Sequence, residues 1–287
     1  MTAGTGLSIL RPDWPAPVNA GFTTRHGGVS EPPYDALNLA MHVGDDPAAV
    51  RENRRRLVEQ AGLPEAPRWL SQVHGTRVVH ASAVERDVTE ADAVWTDQPG
   101  QVCAVLVADC VPILLAARDG TCVAAVHAGW RGLAAGVIPQ TLAALPVPAS
   151  ELMACIGPCI GAEAYAVGGE VIEAMASEGV AARYRSATVT DNAGQGPPAG
   201  DTPSGRFQLD LAATTRGILA DGGVGAITAV DRCTHTASST SYSYRREGAT
   251  GRLAGFVARL AKAWCTPHIN SQRERLLKES APCVRTN

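Results

Sequence analysis

The sequence predicts an α+β fold built as one domain. Its 287 residues can form one large domain, and the composition shifts nowhere in a way that marks a boundary. Segments rich in β-branched residues cluster between residues 69 and 126, whereas the helical patterns stand mostly before and after this run. Strands that cluster in this way favour α+β over a doubly wound sheet, in which strands and helices alternate.

A first helix is predicted over residues 46–61. It follows a proline-punctuated segment and a short strand that runs into a glycine-rich turn at residues 21–30. Asp46 suits the N-cap and Pro47 the first helical position, because that position needs no N–H donor. Gly62, directly after the last apolar position, ends the pattern.

Six short strands are predicted in the central run, each an apolar or β-branched segment bounded by turn residues. They are Trp69–Val73, Arg77–His80, Ala93–Thr96, Val102–Val107, Ile113–Ala117 and Thr121–Val126. An alanine-rich helix follows over Leu133–Leu145, with a break predicted at Pro139 because proline removes a hydrogen bond inside a helix.

The last third of the chain mixes helical and strand patterns. A helix is predicted over residues 170–182, a strand that passes into a helix over 206–221, and a strand over 227–230. Asp191–Ser204 is predicted as a surface loop, because glycine and proline interrupt it repeatedly. An amphipathic helix is predicted over Gly251–Trp264, because its apolar residues recur at i, i+3, i+4, i+7 and i+8.

The composition excludes several classes of protein. A hydrophobic content of 45% excludes wholesale disorder, and a net charge of −3 lacks the electropositive footprint of a nucleic-acid-binding protein. No secretory signal is visible, and the most apolar stretch, Val102–Ala117, is too short for a membrane span. We therefore expect a cytoplasmic protein with no membrane or nucleic-acid partner, whose eight cysteines are thiols, metal ligands or nucleophiles.

Three chemically active side chains stand where predicted strands give way to turns. His74, Cys110 and His127 each follow a predicted strand and lie close to a glycine or proline. Two imidazoles and a thiolate form a good zinc set that leaves a fourth position open. Their wide spacing along the chain leaves two other interpretations: structural histidines with a buried cysteine, or a nucleophilic Cys110 activated by His127.

The carboxylates near these positions are Asp92, Asp97 and Asp109, and two arginines in glycine turns are further candidates. Asp109, in an apolar run, either orients a ligating imidazole or holds the backbone of a turn. Arg25 and Arg131 lie in glycine turns, where a guanidinium and backbone N–H groups can form an anion site, although a solvated arginine fits the same pattern. No Walker loop or G-x-G-x-x-G motif after a strand is present, so nothing indicates an ATP or dinucleotide site.

Six ordered motifs give the chain a specific resemblance between about Gly21 and Ala263. They are Ser71-Gln72-Val73-His74-Gly75, Ala91-Asp92-Ala93, Ala108-Asp109-Cys110, His127-Ala128-Gly129-Trp130-Arg131-Gly132, Ile156-Gly157-Pro158-Cys159-Ile160 and Tyr242-Ser243-Tyr244-Arg245-Arg246-Glu247-Gly248. In this order they resemble the bacterial laccase-domain family, also called the purine nucleoside phosphorylase family with a laccase-like domain. The resemblance implies one α+β domain, residues 1–264, with mixed β-sheets packed between helices. Residues 265–287 match nothing in the family, and we expect them to form a disordered tail.

The resemblance also implies a site and an activity. The family's metal, usually zinc and sometimes copper, is held by residues that correspond to His74, Cys110 and His127. The implied reactions are phosphorolysis of adenosine, inosine, guanosine or methylthioadenosine with phosphate, and adenosine deamination. We accordingly expect Cys110, His127 and Asp109 to be catalytic, and Arg25 and Arg131 to bind the phosphate. The oligomeric state is left open.

Two other activities stay open at this point. The family was first described as copper-dependent polyphenol oxidases, but a multicopper oxidase needs H-x-H pairs and the seven histidines form none. Some members are described as editing factors for peptidoglycan precursors, which would make Cys110 the nucleophile of a Cys–His hydrolase.

Overall fold

Twelve β-strands and six α-helices form the part of the chain that the computed structural model describes, residues 6–15, 17–177 and 206–261. The strands are β1 (Ile9–Leu10), β2 (Val18–Thr23), β3 (Val78–His80), β4 (Ala93–Thr96), β5 (Val102–Val107), β6 (Val111–Ala117), β7 (Val123–Ala128), β8 (Leu152–Ile156), β9 (Ala166–Gly168), β10 (Arg206–Gln208), β11 (Ala226–Ala229) and β12 (Leu253–Arg259). The helices are α1 (Pro47–Ala61), α2 (Trp130–Ala135), α3 (Val137–Ala144), α4 (Gly169–Ser177), α5 (Leu211–Asp221) and α6 (Tyr244–Glu247).

Most of the strands pair into two sheets. The larger has six strands in the order β11-β8-β6-β7-β4-β3, with both parallel and antiparallel neighbours. The smaller has four antiparallel strands in the order β1-β2-β12-β5, and β9 and β10 form a separate ribbon. The predicted α+β class is therefore confirmed.

Three buried apolar layers join the sheets and helices. In the first, Leu115 of β6 and its neighbours pack against α2, α3, α4 and α5. In the second, Phe22 of β2 meets Leu114 of β6 between the two sheets. In the third, Phe256 of β12 packs with Leu57 of α1 on the outer face of the smaller sheet. Helices thus cover both outer faces of the paired sheets, which confirms the expected sandwich.

The helix predicted over Gly251–Trp264 is wrong, because this segment contains β12. Leu253–Arg259 lies between β2 and β5 and pairs with both. One face of β12 meets the larger sheet and the other meets α1, so all of its residues except the last are buried. A strand buried on both faces has a continuous apolar sequence, which periodicity cannot distinguish from a buried helix.

Two smaller predictions also differ from the structure. The helix predicted over Leu133–Leu145 is interrupted at Gly136, whose φ of 92° is left-handed, and not at Pro139. Pro139 falls in the first turn of α3, where a missing N–H donor costs nothing. Residues Trp69–Val73 form no strand; isolated bridges at Arg68 and Ser71 hold this stretch.

Local signals predict several other elements correctly. β4 and β5 match their predicted bounds, and the Asp46 side chain caps α1 by accepting a hydrogen bond from the Ala48 amide. Gly62 ends that helix at a φ of 65°, a conformation that glycine adopts without strain.

Some predictions fall outside the described residues. These are the helix beyond Ser177, the loop over 191–204 and the tail over 265–287, so the domain boundary at residue 264 stays a prediction. Within the described ranges, no helix is both long and apolar enough to cross a membrane.

Candidate metal centre

His74, Cys110 and His127 meet at one edge of the larger sheet. Cys110 directly precedes β6 and His127 lies near the end of β7, and these strands pair so that Val111 is opposite Ala128. His74 comes from the loop before β3. The three ligand atoms all lie within 4.8 Å of one another, with Cys110 Sγ 3.8 Å from Nε2 of His74. The structure therefore brings together all three residues that the sequence predicts as metal ligands.

The cluster opens toward solvent on one side. His127 is buried, Cys110 is partly exposed and His74 is exposed. The two imidazole rings stand edge to face, with centroids 4.7 Å apart. A small molecule can therefore reach the group from the side of His74.

Gly129 forms one wall of the cluster. A Cβ atom at this position would lie 2.9 Å from Cδ2 of His74 and 3.1 Å from Sγ of Cys110. Separations this short require the neighbouring atoms to move, so any side chain at residue 129 would enter the space between the ligands. The glycine keeps a small cradle open between the two ligands.

Asp92 holds both histidines in place. Its carboxylate is buried and accepts a hydrogen bond from Nδ1 of His127 at 2.8 Å. It also accepts the backbone amides of His74 at 2.9 Å and Gly75 at 2.7 Å. Since Nδ1 of His127 is engaged, Nε2 of this ring is left as the ligand atom. A carboxylate that orients a ligating imidazole in this way is typical of zinc sites.

Asp109, which the sequence offers for this orienting role, has a different place. It adopts a left-handed φ of 94° in the turn before β6. One oxygen accepts the Thr234 hydroxyl at 2.6 Å and the other accepts the Arg245 amide at 2.7 Å. Asp109 thus ties the segment that carries Thr234 and Arg245 to the Cys110 turn. Of the two interpretations of Asp109, the structure favours the one in which the side chain holds backbone.

The Cys110 thiol and the His127 imidazole shift each other's pKa. Burial alone would raise the pKa of Cys110, but attraction to His127 and hydrogen bonds from both histidines outweigh it and lower the pKa to about 6. Burial alone would lower the pKa of His127, but the Cys110 thiolate and the Asp92 carboxylate raise it to about 9. A cysteine held as a thiolate near neutral pH is suited to binding a metal.

The donor set fits a zinc ion. Zinc in catalytic sites has three protein ligands and one open position, with metal–ligand distances of about 2.0–2.3 Å. Donor atoms within 4.8 Å of one another can surround such an ion with small adjustments. The space beside Gly129 and the buried carboxylate behind His127 meet the remaining needs of the site.

Arg25, one of the two predicted phosphate-binding residues, is bound to the protein itself. Its guanidinium pairs with Asp35 and Glu247, donates to the Ser238 carbonyl and stacks over Tyr242 at 4.6 Å. Its side chain is 13% exposed and lines a cavity of about 630 Å³. These contacts leave Arg25 few free donors for an anion.

Arg131, the other predicted phosphate-binding residue, is more available. It follows Trp130 at the start of α2, is exposed, and lies 4.3 Å over the Trp130 ring. Its guanidinium has no carboxylate partner within the described part of the chain. The structure therefore leaves Arg131 able to bind an anion.

Two further arginine–aromatic pairs near the cluster are absent from the sequence prediction. Arg245 lies over Tyr165 at 5.0 Å, and Arg252 lies over Tyr244 at 5.8 Å. Burial raises the pKa of Tyr165 to about 12, and the negative charges of Cys110 and Asp109 add to this. Arginine beside aromatic residues in the Tyr242–Gly248 motif is a signal that could have identified Arg245.

The chain is similar to known proteins over most of its length. A family model described as multi-copper polyphenol oxidoreductase laccase matches residues 19–260. A purine nucleoside phosphorylase of Pseudomonas aeruginosa is 48% identical over 250 residues, 86% of this chain and 97% of that protein. The purine nucleoside phosphorylase YfiH of Escherichia coli is 44% identical over 251 residues, 87% of this chain and 98% of that protein.

Solved structures show the same fold. A Neisseria meningitidis protein superposes with a TM-score of 0.78 at 41% identity, covering 89% of this chain and all of that one. YlmD from Geobacillus stearothermophilus superposes with a TM-score of 0.72 at 32% identity, covering 86% of this chain and 93% of that one.

Proposed function

This chain belongs to the multi-copper polyphenol oxidoreductase laccase family, and we propose that it acts as a zinc-dependent purine nucleoside phosphorylase. Its substrates are adenosine, inosine, guanosine or methylthioadenosine, together with phosphate. Two relatives that span nearly the whole domain carry the name of this activity. The observation that carries the proposal is the His74–Cys110–His127 cluster with its open side.

Phosphorolysis sets clear physical demands on this site. The bond between ribose C1′ and the purine nitrogen breaks, and a bond from C1′ to a phosphate oxygen forms. The site must hold a phosphate anion beside the sugar, and it must stabilise the charge that develops on the departing base. His74, Cys110 and His127 would hold a zinc ion, which would supply Lewis acidity there.

The chain's own residues supply orientation and charge. Asp92 fixes the ring of His127 and the backbone around His74, so that both imidazoles keep one geometry. Arg131 presents a guanidinium without a carboxylate partner in the described ranges, and phosphate is a preferred ligand of arginine. Asp109 keeps the Cys110 turn attached to the Thr234 segment.

Adenosine deamination is a second activity that we propose for the same site. Both reactions bring an oxygen nucleophile to a purine nucleoside, at C1′ in phosphorolysis and at C6 in deamination. Inosine formed from adenosine in the absence of phosphate is the product that identifies this activity.

The test is chromatography of the products formed from each nucleoside. Zinc-loaded protein with inosine and phosphate is expected to yield hypoxanthine and ribose 1-phosphate, and to yield neither when phosphate is omitted. His127→Ala should abolish both products. His80→Ala should not, because His80 lies in a separate imidazole–carboxylate pair with Asp97. The proposal would be contradicted by folded, zinc-loaded protein that forms no ribose 1-phosphate from inosine and phosphate and no inosine from adenosine.

A Cys–His hydrolase is the second candidate function. The lowered pKa of Cys110 beside the raised pKa of His127 describes a thiolate–imidazolium pair, which is the state of a cysteine nucleophile. A hydrolase that edits peptidoglycan precursors would use this pair without a metal. Acylation of Cys110 by a thiol-directed acyl probe in metal-free protein, measured as a mass shift, would favour this function.

Copper-dependent phenol oxidation is the remaining alternative. The family description names several copper ions, whereas the described ranges hold a single cluster of three or more His, Cys, Asp or Glu ligands. Metal analysis of protein purified without added copper, with a phenol-oxidation assay, distinguishes this alternative. Zinc without oxidase activity supports the phosphorylase, and copper with oxidase activity contradicts it.

A further inference from the structure

Strand pairing brings Arg252 to the edge that carries the metal ligands. Leu253 is the first residue of β12 and pairs with Val107, the last residue of β5. Cys110 follows Val107 closely along the chain. Leu253 also packs in one small cluster with Val107 and Tyr242, against which Cys110 lies. Arg252 directly precedes this strand, so it enters the neighbourhood of Cys110 from the smaller sheet.

The guanidinium of Arg252 is only partly engaged by the protein. Its Nη1 donates to the carbonyls of Thr250 at 2.8 Å and Gly251 at 3.1 Å. Its Nε and Nη2 have no acceptor within residues 6–15, 17–177 and 206–261, and no carboxylate in those ranges forms an ion pair with it. Arg25, in contrast, is held by two carboxylates. Arg252 is thus a cation with free donors close to the cluster.

The guanidinium of Arg252 is a partly buried cation, and burial increases the cost of leaving it without an anion. Burial lowers the pKa of Arg252, and the negative charges of Cys110 and Asp109 act in the opposite direction. A partly buried charge without a partner is costly, and it is stabilised when an anion occupies the space beside it.

Arg245 adds a second guanidinium on the same side. Its backbone amide binds Asp109, and its Nη1 donates to the Ala166 carbonyl at 3.0 Å. It has no carboxylate partner in the described part of the molecule. The two guanidiniums balance the charges of the Cys110 thiolate and the Asp109 carboxylate. The Asp92 carboxylate behind His127 adds one more negative charge, so a bound divalent metal ion leaves one positive charge in excess among these groups, which favours an anion beside it.

We propose that Arg252, supported by Arg245, forms the phosphate site beside the His74–Cys110–His127 cluster. This inference rests on the proposed phosphorolysis and assigns its second substrate chiefly to Arg252, which lies in none of the six sequence motifs. It also gives Arg25 a structural role, since four of its five guanidinium N–H groups already donate to the protein. The ligand is inorganic phosphate, and a nucleoside 5′-monophosphate is the other source of the same group.

The test is calorimetric titration of zinc-loaded protein with inorganic phosphate, which needs no turnover. Arg252→Gln is expected to raise the Kd for phosphate about tenfold or more, equivalent to about 1.4 kcal/mol or more, because it removes a charge-assisted hydrogen bond to the anion. Its zinc content should stay at the wild-type level. Arg54→Gln is the matched control and should leave the Kd for phosphate unchanged. Arg54 also stacks over an aromatic ring, that of Trp69, but its guanidinium forms an ion pair with Asp87.

Steady-state kinetics distinguish a loss of phosphate binding from a general loss of active-site structure. In Arg252→Gln the KM for phosphate should rise about tenfold, while the KM for inosine stays within about twofold. If Arg252→Gln does not fold, Arg252→Lys replaces it, and it should show a smaller rise because lysine keeps the charge but lacks the planar fork. An unchanged Kd for phosphate in either folded, zinc-loaded variant overturns the proposal.

Further outcomes separate this inference from the proposed function. Wild-type protein that binds phosphate through Arg252 but cleaves no nucleoside contradicts the phosphorylase and leaves the anion site standing. Wild-type protein that cleaves inosine while Arg252→Gln binds phosphate normally contradicts the site alone. A nucleoside 5′-monophosphate that binds at least tenfold more tightly than phosphate, with the same loss in Arg252→Gln, overturns the assignment to inorganic phosphate.

Discussion

The buried carboxylate of Asp92 accepts a hydrogen bond from Nδ1 of His127 at 2.8 Å. The same carboxylate accepts the backbone amide of His74, so one side chain positions two of the three ligands. This is possible because Asp92 directly precedes β4, which pairs with β7 and places Ala93 opposite Val126. Asp92 is therefore a positioning residue for the cluster.

Asp92→Asn is expected to weaken zinc binding about 10- to 100-fold, because the amide can no longer act as a charged acceptor behind His127. The measurement is competition for zinc against a chromophoric chelator. Asp97→Asn is the control, since Asp97 contacts His80 and no ligand of the cluster. Equal zinc affinity in Asp92→Asn and wild type would contradict the positioning role.

Gly129→Ala is expected to abolish tight zinc binding while the protein stays folded. The new Cβ would stand 2.9 Å from His74 and 3.1 Å from Cys110, so the ligands could not keep their places. Gly75→Ala is the control, because its Cβ would meet only ordinary contacts at 3.6 Å. Zinc content and circular dichroism are measured together. A zinc-loaded, folded Gly129→Ala protein would show that the cradle is wider than the structure indicates.

Thr234→Val is expected to lower the free energy of unfolding by about 1–3 kcal/mol, because it leaves one buried oxygen of Asp109 without its donor. Thr215→Val is the matched control. Thr215 is equally buried, but its hydroxyl has no hydrogen-bond partner among the described residues, so its replacement should be neutral or stabilising. Urea unfolding measures both variants, and equal losses would contradict the tie between Asp109 and Thr234.

Glu247→Gln is expected to lower the free energy of unfolding by about 1–3 kcal/mol at pH 7, because the carboxylate accepts hydrogen bonds from Arg25 and Arg246. Burial alone would raise the pKa of Glu247, but these hydrogen bonds and that of Thr250 lower it below its usual value. A lowered folded-state pKa stabilises the protein above the unfolded-state pKa of about 4.3 and ceases to do so as the pH falls through the folded-state value.

The difference in stability between wild type and Glu247→Gln should therefore be constant from pH 7 to about pH 5 and shrink below about pH 4.3. Urea unfolding at several pH values measures it. Glu59→Gln is the control, since its pair with Arg55 is exposed and worth little. A gap that widens in acid would show that Glu247 is not stabilised as the carboxylate.

Local chemistry explains which parts of the fold are predictable from sequence. The ends of α1 follow from Asp46 and Gly62, whose side-chain and backbone preferences act within a few residues. The break between α2 and α3 depends on a left-handed conformation at Gly136, which a nearby proline obscures in the sequence. β12 is the clearest failure, because its identity depends on partners more than a hundred residues away.

The candidate site also has residues that can be predicted from sequence and residues that cannot. His74, Cys110 and His127 can be proposed from their positions at strand ends, and the resemblance to a family selects metal binding among the alternatives. The roles of Asp92 and Asp109 follow only from strand pairing and from the turn at Cys110, because both carboxylates stand in similar apolar stretches. Arg252 carries no local signal, since only the pairing of β12 with β5 brings it to Cys110.

The most direct test of the central claim is a titration of metal-free protein with zinc while ribose 1-phosphate is measured from inosine and phosphate. We predict that product formation rises in proportion to zinc and stops rising at one ion per chain, in keeping with the single described cluster. Cys110→Ala should form no product at any zinc concentration. Product formation that does not depend on the zinc concentration, or that persists in Cys110→Ala, would contradict the account.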